Sequence, residues 1–346
     1  MKLFAFSINA NGGALTQTAA ATIPASTYSS PSIAIAPSGN VLYASTGTTG
    51  ICEYSTDATG ALSMVSGSPF LSQTATGISH LTIAPNGKFL YASDFSSSGV
   101  AGFSVGTNGA LTNIPGAPFR ALPSVMEGEI AVDPTGRFLY ASASDDPFSS
   151  TGRNILGFTI DSQTGALTLM PGSPFPTLEN GQPYGIQVDP SGKFLYVALS
   201  NSNSIAALTI DPTTGALTTV PGSPFQTSSA QFTQTYELTI APSGKFLYAF
   251  NFNGNTVAAF TINPTSGVLT TVAGSPFSIN PHAEGGLAVD PSGRYLYMTI
   301  GFGGPTAFDI FDIDPNTGAL TPNANSPVAG TQQPMSLVVA QFAQVH

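Results

Sequence analysis

Apolar and polar residues alternate along the chain in short runs, and the runs are separated by Pro-x-Gly, Asn-Gly and Thr-Gly punctuation. A period of two, rich in β-branched and aromatic residues, predicts strands, whereas an amphipathic helix would need a period near 3.6, which is absent here. One run recurs: LTIAPNGKFLYAS, IAVDPTGRFLYAS, IQVDPSGKFLYVA, LTIAPSGKFLYAF and LAVDPSGRYLYMT, with IAIAPSGNVLYAS as the first and most divergent copy. Its prolines, Pro37, Pro85, Pro134, Pro190, Pro242 and Pro291, are 48, 49, 56, 52 and 49 residues apart. A second mark, TGALT or a close variant, has its glycine at 13, 60, 109, 165, 215, 267 and 318. After it comes a Gly-Ser-Pro-Phe-like turn, as at Gly67–Phe70, Gly172–Phe175 and Gly274–Phe277. Each unit therefore predicts four strands, placed in the second unit at Leu81–Ala84, Phe89–Ser93, Val100–Val105 and Ala110–Ile114.

A period near 49 residues built from four short strands predicts a β-propeller. Seven TGALT marks predict seven blades, so the expected fold is all-β: one seven-bladed propeller over residues 1–346 with four-stranded antiparallel blades. The first residues align with the third and fourth strands of a unit and the last with an inner strand. This predicts a shared closing blade from about 1–23 and 329–346. Strand two of that blade has only Phe342–His346 to form it, which leaves an edge that strand addition from another chain would cover.

Composition narrows the partners. Only 8% of residues are charged and the formal net charge is -10, so the chain lacks the cationic surface that nucleic acid or anionic lipid requires. Hydrophobic residues make up 42%, including 23 Phe and 11 Tyr, too apolar a content for a disordered chain. No run reaches the ~18 apolar residues of a membrane span. The single cysteine, Cys52, reads as a buried strand residue. A surface of Ser, Thr, Asn and Gln favours an extracellular or periplasmic setting, with the cytoplasm as the alternative. Met1–Ala21 is read as strands, since its apolar run Leu3–Phe6 is too short for a signal peptide.

The combination of [DA]P.G[KR][FY]LY, TGALT and GSPF resembles the seven-bladed lactonase-like propellers, the group of bacterial 6-phosphogluconolactonase and the fungal carboxymuconate lactonizing enzyme, and the surface-protein repeats with a Tyr-Val-Thr-Asn signature. The resemblance covers essentially the whole chain. It implies a lactonase-like hydrolase of a small lactone or related ester, with no required cofactor and His, Arg and Glu side chains at one end of the central channel. The quoted motifs build turns and blade cores, so the alternative is a non-enzymatic extracellular binding or structural propeller, with metal binding at the channel mouth.

Five residues before each anchoring proline, at the start of the inner strand, stand Ser32, His80, Glu129, Gly185, Glu237 and Gly286, and Ser336 follows in the C-terminal copy. Glu127, His282 and Glu284 lie just beyond. Four of six glutamates and two of three histidines thus gather at equivalent strand ends, which marks that end as the functional face. A hydrolytic site would use His80 or His282 as base and Glu129 as orienting group or acid, with Arg120 as the candidate oxyanion donor. A metal site would draw on Glu127, Glu129, Glu237 and Glu284, with calcium or zinc as the ion. A polar channel lining is the third reading. Glu127 and Glu129 share a strand face, so crowding should raise the proton affinity of at least one. Lys88, Arg137, Lys193, Lys245 and Arg294 repeat in the blade turns and read as scaffold, which leaves Lys2, Arg120 and Arg153; Asp133, Asp189 and Asp290 before proline read as turn formers.

Overall fold

The structure is a computed structural model that describes residues 2–24, 32–47, 50–57, 59–72, 77–94, 99–120, 128–144, 153–177, 181–230, 233–280, 283–300, 306–329 and 336–339. Its regular elements are strands throughout. The Pro-x-Gly turns reverse the chain after each inner strand because glycine supplies a left-handed residue, with Gly87 at φ 70° and Gly192 at φ 72°. Where the residue before proline is aspartate, its carboxylate organises the turn. Asp189 accepts from the backbone N–H groups of Ser191, Lys193 and Phe194 and from the Ser191 hydroxyl.

The second blade shows the unit, with strands at Ile78–Ile83, Phe89–Asp94, Gly99–Val105 and Leu111–Asn113, in order from the axis outward. A two-residue strand, Phe119–Arg120, returns to pair with the start of the third strand. Six such sheets follow one another, their inner strands at Ile33–Ile35, Ile78–Ile83, Ile130–Val132, Pro183–Val188, Thr235–Ile240 and Ala283–Val289. Apolar clusters fill the space between each consecutive pair of sheets. The Pro-Phe turns contribute to them as expected: Phe70, Phe119, Phe175, Phe225 and Phe277 each pack into the cluster shared with the next blade. Cys52 is buried, as its strand position predicts.

The blade count differs from expectation. The described residues form six four-stranded blades and one two-stranded sheet, Lys2–Ile8 with Leu15–Thr22, in place of seven blades closed by a shared one. TGALT marks the outer turn between the last two strands of a unit, so it scores a hairpin as readily as a whole blade. The first mark, at Gly13, belongs to this hairpin. Leu337–Ala340 is expected as an inner strand of a closing blade; its described residues, Leu337–Val339, make no sheet pairing among the described residues. The hairpin nevertheless lies between the sixth blade and the first, sharing one apolar cluster with Tyr295, Tyr297 and Ile310 and another with Leu42, Cys52 and Tyr54.

One tie recurs between blades. The tyrosine that ends each Phe-Leu-Tyr run is buried, and its hydroxyl donates to the carbonyl of the TGALT glycine in the next unit: Tyr43 to Gly109, Tyr91 to Gly165, Tyr140 to Gly215, Tyr196 to Gly267 and Tyr248 to Gly318, at 2.8–3.1 Å. Tyr297 completes the series by donating to Gly13 of the hairpin at 2.8 Å. Burial holds these phenols well above their ordinary pKa, so they remain donors at any physiological pH.

Candidate active site on the propeller axis

The inner strands start at one end of the ring, and the residue five before the anchoring proline stands within three residues of that start in each. In two blades this side chain makes the same bond to its neighbour. The Ser32 hydroxyl accepts from the Leu81 N–H at 3.0 Å, and Glu129 Oε2 accepts from the Ile186 N–H at 3.2 Å. Glu129 thus has a structural task, holding the third inner strand to the fourth, and its position is fixed by it.

Gly185 occupies the equivalent place in the fourth blade. A Cβ there would lie 2.5 Å from the Tyr236 carbonyl oxygen and 3.2 Å from the Glu237 Cα, closer than packing allows. With no side chain between them, the carboxyls of Glu129 and Glu237 hydrogen-bond across the fourth blade. Desolvation and the neighbouring Glu129 charge together hold the Glu237 carboxyl well above the usual range, so the pair shares a proton. The crowding that the described residues show is between Glu129 and Glu237, and the crowding expected between Glu127 and Glu129 falls on Glu127, which lies outside the described residues.

His80, from the second blade, reaches toward the same place. Its ring meets Tyr184 of the fourth blade edge to face at 6.0 Å, a contact that spans the third blade's inner strand. Burial depresses its proton affinity, opposed by the Glu129 charge, so the imidazole is neutral near pH 7. Nδ1 is buried with no hydrogen-bond partner. An N–H buried without an acceptor is the costlier orphan, which favours the tautomer with its proton on Nε2. From Tyr184 an aromatic series continues, edge to face, to Tyr236 at 5.0 Å and on to Phe252 at 5.6 Å.

The remaining expected residues either stand apart or lie outside the described residues. Arg120 is exposed, on the two-residue strand that pairs with Gly99 and Val100 on the outer side of the third strand. His282 lies outside the described residues, as does the side chain of Glu284, whose backbone belongs to the sixth inner strand. Asp94 accepts from the Gly77 N–H at 2.9 Å, a turn-fixing role. Among the described residues no three His, Cys, Asp or Glu side chains converge as a metal-ligand set. Tyr184 and Tyr236 were not singled out by sequence reasoning. Their signal was a tyrosine directly before the axis-facing residue, in two adjacent units.

The same reasoning passed over Glu53. It stands in the third strand of the first blade, opposite Tyr43, where the other blades place Gly102, Gly157, Ala207, Ala259 and Ile310. Its side chain is wholly buried, both carboxyl oxygens lack partners, and burial pushes it up to about 7.

Family comparison rests on the whole chain. The model of the family described as "Lactonase, 7-bladed beta-propeller" matches residues 2–123, 118–232 and 222–339. The chain belongs to this lactonase family. Six complete blades are what this lactonase-family member forms among its described residues, whatever the number in the family's description. The chain is similar in structure to a candidate 6-phosphogluconolactonase from Bacteroides uniformis, with a TM-score of 0.75, 20% identity, and 94% of this chain and 92% of that chain covered. It is also similar to a protein from Lactobacillus plantarum, with a TM-score of 0.75, 17% identity and coverage of 96% and 93%. A third likeness is to the periplasmic gluconolactonase of Pseudomonas aeruginosa, with a TM-score of 0.72, 17% identity and coverage of 95% and 92%. At such identities these lactonase likenesses bear on fold. A search of curated proteins returns no match.

Proposed function

We propose that the protein hydrolyses a small lactone or related ester at the site formed by Glu129, Glu237 and His80. The observation that carries this reading is the proton-sharing carboxyl pair, which supplies a base and an acid side by side. The ionised carboxylate takes a proton from water as the water oxygen bonds to the carbonyl carbon. The ring C–O bond then breaks, and the leaving oxygen takes the proton held by the other carboxyl. The pair ends with one proton, its two roles exchanged. Neutral His80, with its proton on Nε2, donates to the carbonyl oxygen as negative charge develops there. Family membership supports the reaction class. An extracytoplasmic setting, as in the periplasmic Pseudomonas aeruginosa relative, belongs to the same proposal.

The test is a pH-stat screen of lactones and simple esters against the intact protein and the variants His80→Ala, Glu129→Gln and Glu237→Gln. Acid release should fall about 100-fold or more in each glutamine variant, and it should also decline on the alkaline side as the pair loses its shared proton. No release above the spontaneous rate across the screen, from folded protein, rejects the hydrolase in favour of a binding propeller.

A further inference from the structure

The charge and surface of the site restrict what it admits. Burial and Glu129 hold the Glu237 carboxyl well above the usual range, and the charged group acting on both Glu237 and His80 is Glu129. Among the described residues no lysine or arginine contributes to either environment. Lys88, Arg137, Lys193, Lys245 and Arg294 lie in the Pro-x-Gly turns, whereas Arg120 is exposed at the outer edge of the second blade and the side chain of Arg153 lies outside the described residues. Arg137 donates to the Pro212 carbonyl and lies over the Phe138 ring, and Arg294 lies over Tyr295; both are in turns at the far end of the inner strands. The segments that lead from each blade into the next inner strand, residues 72–77, 121–129, 177–182, 227–234, 279–282 and 330–335, contain no Lys or Arg, and the connection between the second and third strands of the third blade ends in Arg153. Beside the carboxyls stand the ring series of Tyr184, Tyr236 and Phe252 and a histidine whose Nδ1 is buried without a partner.

We infer that the site takes an uncharged, ring-bearing lactone or ester, and that it rejects phosphorylated and carboxylated ones. The ring stacks on the aromatic series while the ester carbonyl meets the carboxyl pair and His80. An anionic group on the ligand would face the Glu129 carboxylate in a desolvated setting, and the inner strands carry no lysine or arginine to offset it. This inference rests on the hydrolase reading for its word "lactone", but its charge and shape content is separately measurable.

The experiment uses the full chain and two matched pairs of probes. The first pair is 3,4-dihydrocoumarin and its ring-carboxylated derivative, scored by turnover. The second is the unreactive lactam 3,4-dihydroquinolin-2-one and its carboxylated derivative, scored by calorimetry. The neutral member of each pair should be favoured by about 100-fold, the discrimination expected of one like charge at close range in partly desolvated surroundings. Glu129→Gln, which keeps an oxygen for the Ile186 N–H, should shrink that ratio to a few-fold. Tyr236→Ala should weaken the neutral lactam about tenfold while leaving the charge ratio unchanged. Equal binding of the charged and neutral lactams, or binding of neither, overturns the inference. Binding of the neutral lactam with no lactone opened upholds the inference and rejects the hydrolase. Turnover of both lactones at equal rates does the reverse.

Discussion

Glu53 costs the fold stability in a pH-dependent way. Its folded pKa of about 7 lies above the unfolded value near 4.5, so the folded state binds the proton more tightly. Stability is therefore full below pH ~4.5, falls as pH rises toward 7, and levels off above it. Over that span the loss is on the order of 1–3 kcal/mol. Glu53→Ala, which installs the residue found at this position in the fourth and fifth blades, should raise the melting temperature at pH 8 and leave it little changed at pH 4.5. A variant equally stabilised at both pH values would assign the effect to packing instead of charge. His80 and Glu237 are perturbed by the same burial, yet they stand with Glu129 at the axis, whereas Glu53 has no neighbour that makes use of it.

The repeat writes itself into turns and ties at the scale of the strand. Asp189 satisfies three backbone N–H groups and a hydroxyl, yet Ala36, Ala84 and Ala241 occupy the same place in other blades and their turns keep the same backbone bonds. Asp189→Ala should therefore cost only about 1 kcal/mol, toward the low end for a lost charge-assisted bond, measured by urea denaturation. A loss above about 3 kcal/mol would mean that the aspartate blades cannot adopt the alanine solution. These turns made the strands legible from sequence: the four predicted for the second blade all fall within three residues of those observed. Alternation and glycine placement are local, and they survive translation into structure. Blade number was misread because the counted motif belongs to a hairpin, and nothing local distinguishes a hairpin within a blade from one outside it. Glu129, Glu237 and His80 were legible as a ring of equivalent positions. Their pairing was not, since it depends on Gly185 being empty in the blade between two carboxyls. Tyr184 escaped notice because it stands one residue out of register with the positions compared.

The hairpin and the six blades are held as one object by the tyrosine series, and the last member of that series tests the closure. Tyr140→Phe and Tyr297→Phe remove equivalent hydrogen bonds and should each cost about 1 kcal/mol, with the glycine carbonyl left unsatisfied. Only Tyr297→Phe should also speed amide hydrogen exchange across Lys2–Thr22, because its acceptor, Gly13, lies in the terminal hairpin. Unchanged exchange there would mean that the apolar clusters alone hold the hairpin. The direction of the tie carries a further meaning for how such a ring can change in size. Each blade from the second to the sixth brings a donor for the unit ahead and an acceptor for the unit behind. A gene segment of one repeat length, duplicated or excised, would enter or leave with both halves of the joint, and the flanking blades would find partners of the same kind as before. Drift in blade number is then a low-barrier step in the history of this architecture. A side-chain grouping that reaches across a blade, as Glu129 and Glu237 do over Gly185, is by contrast a fixed point: within that stretch a repeat can be neither gained nor lost without dismantling it.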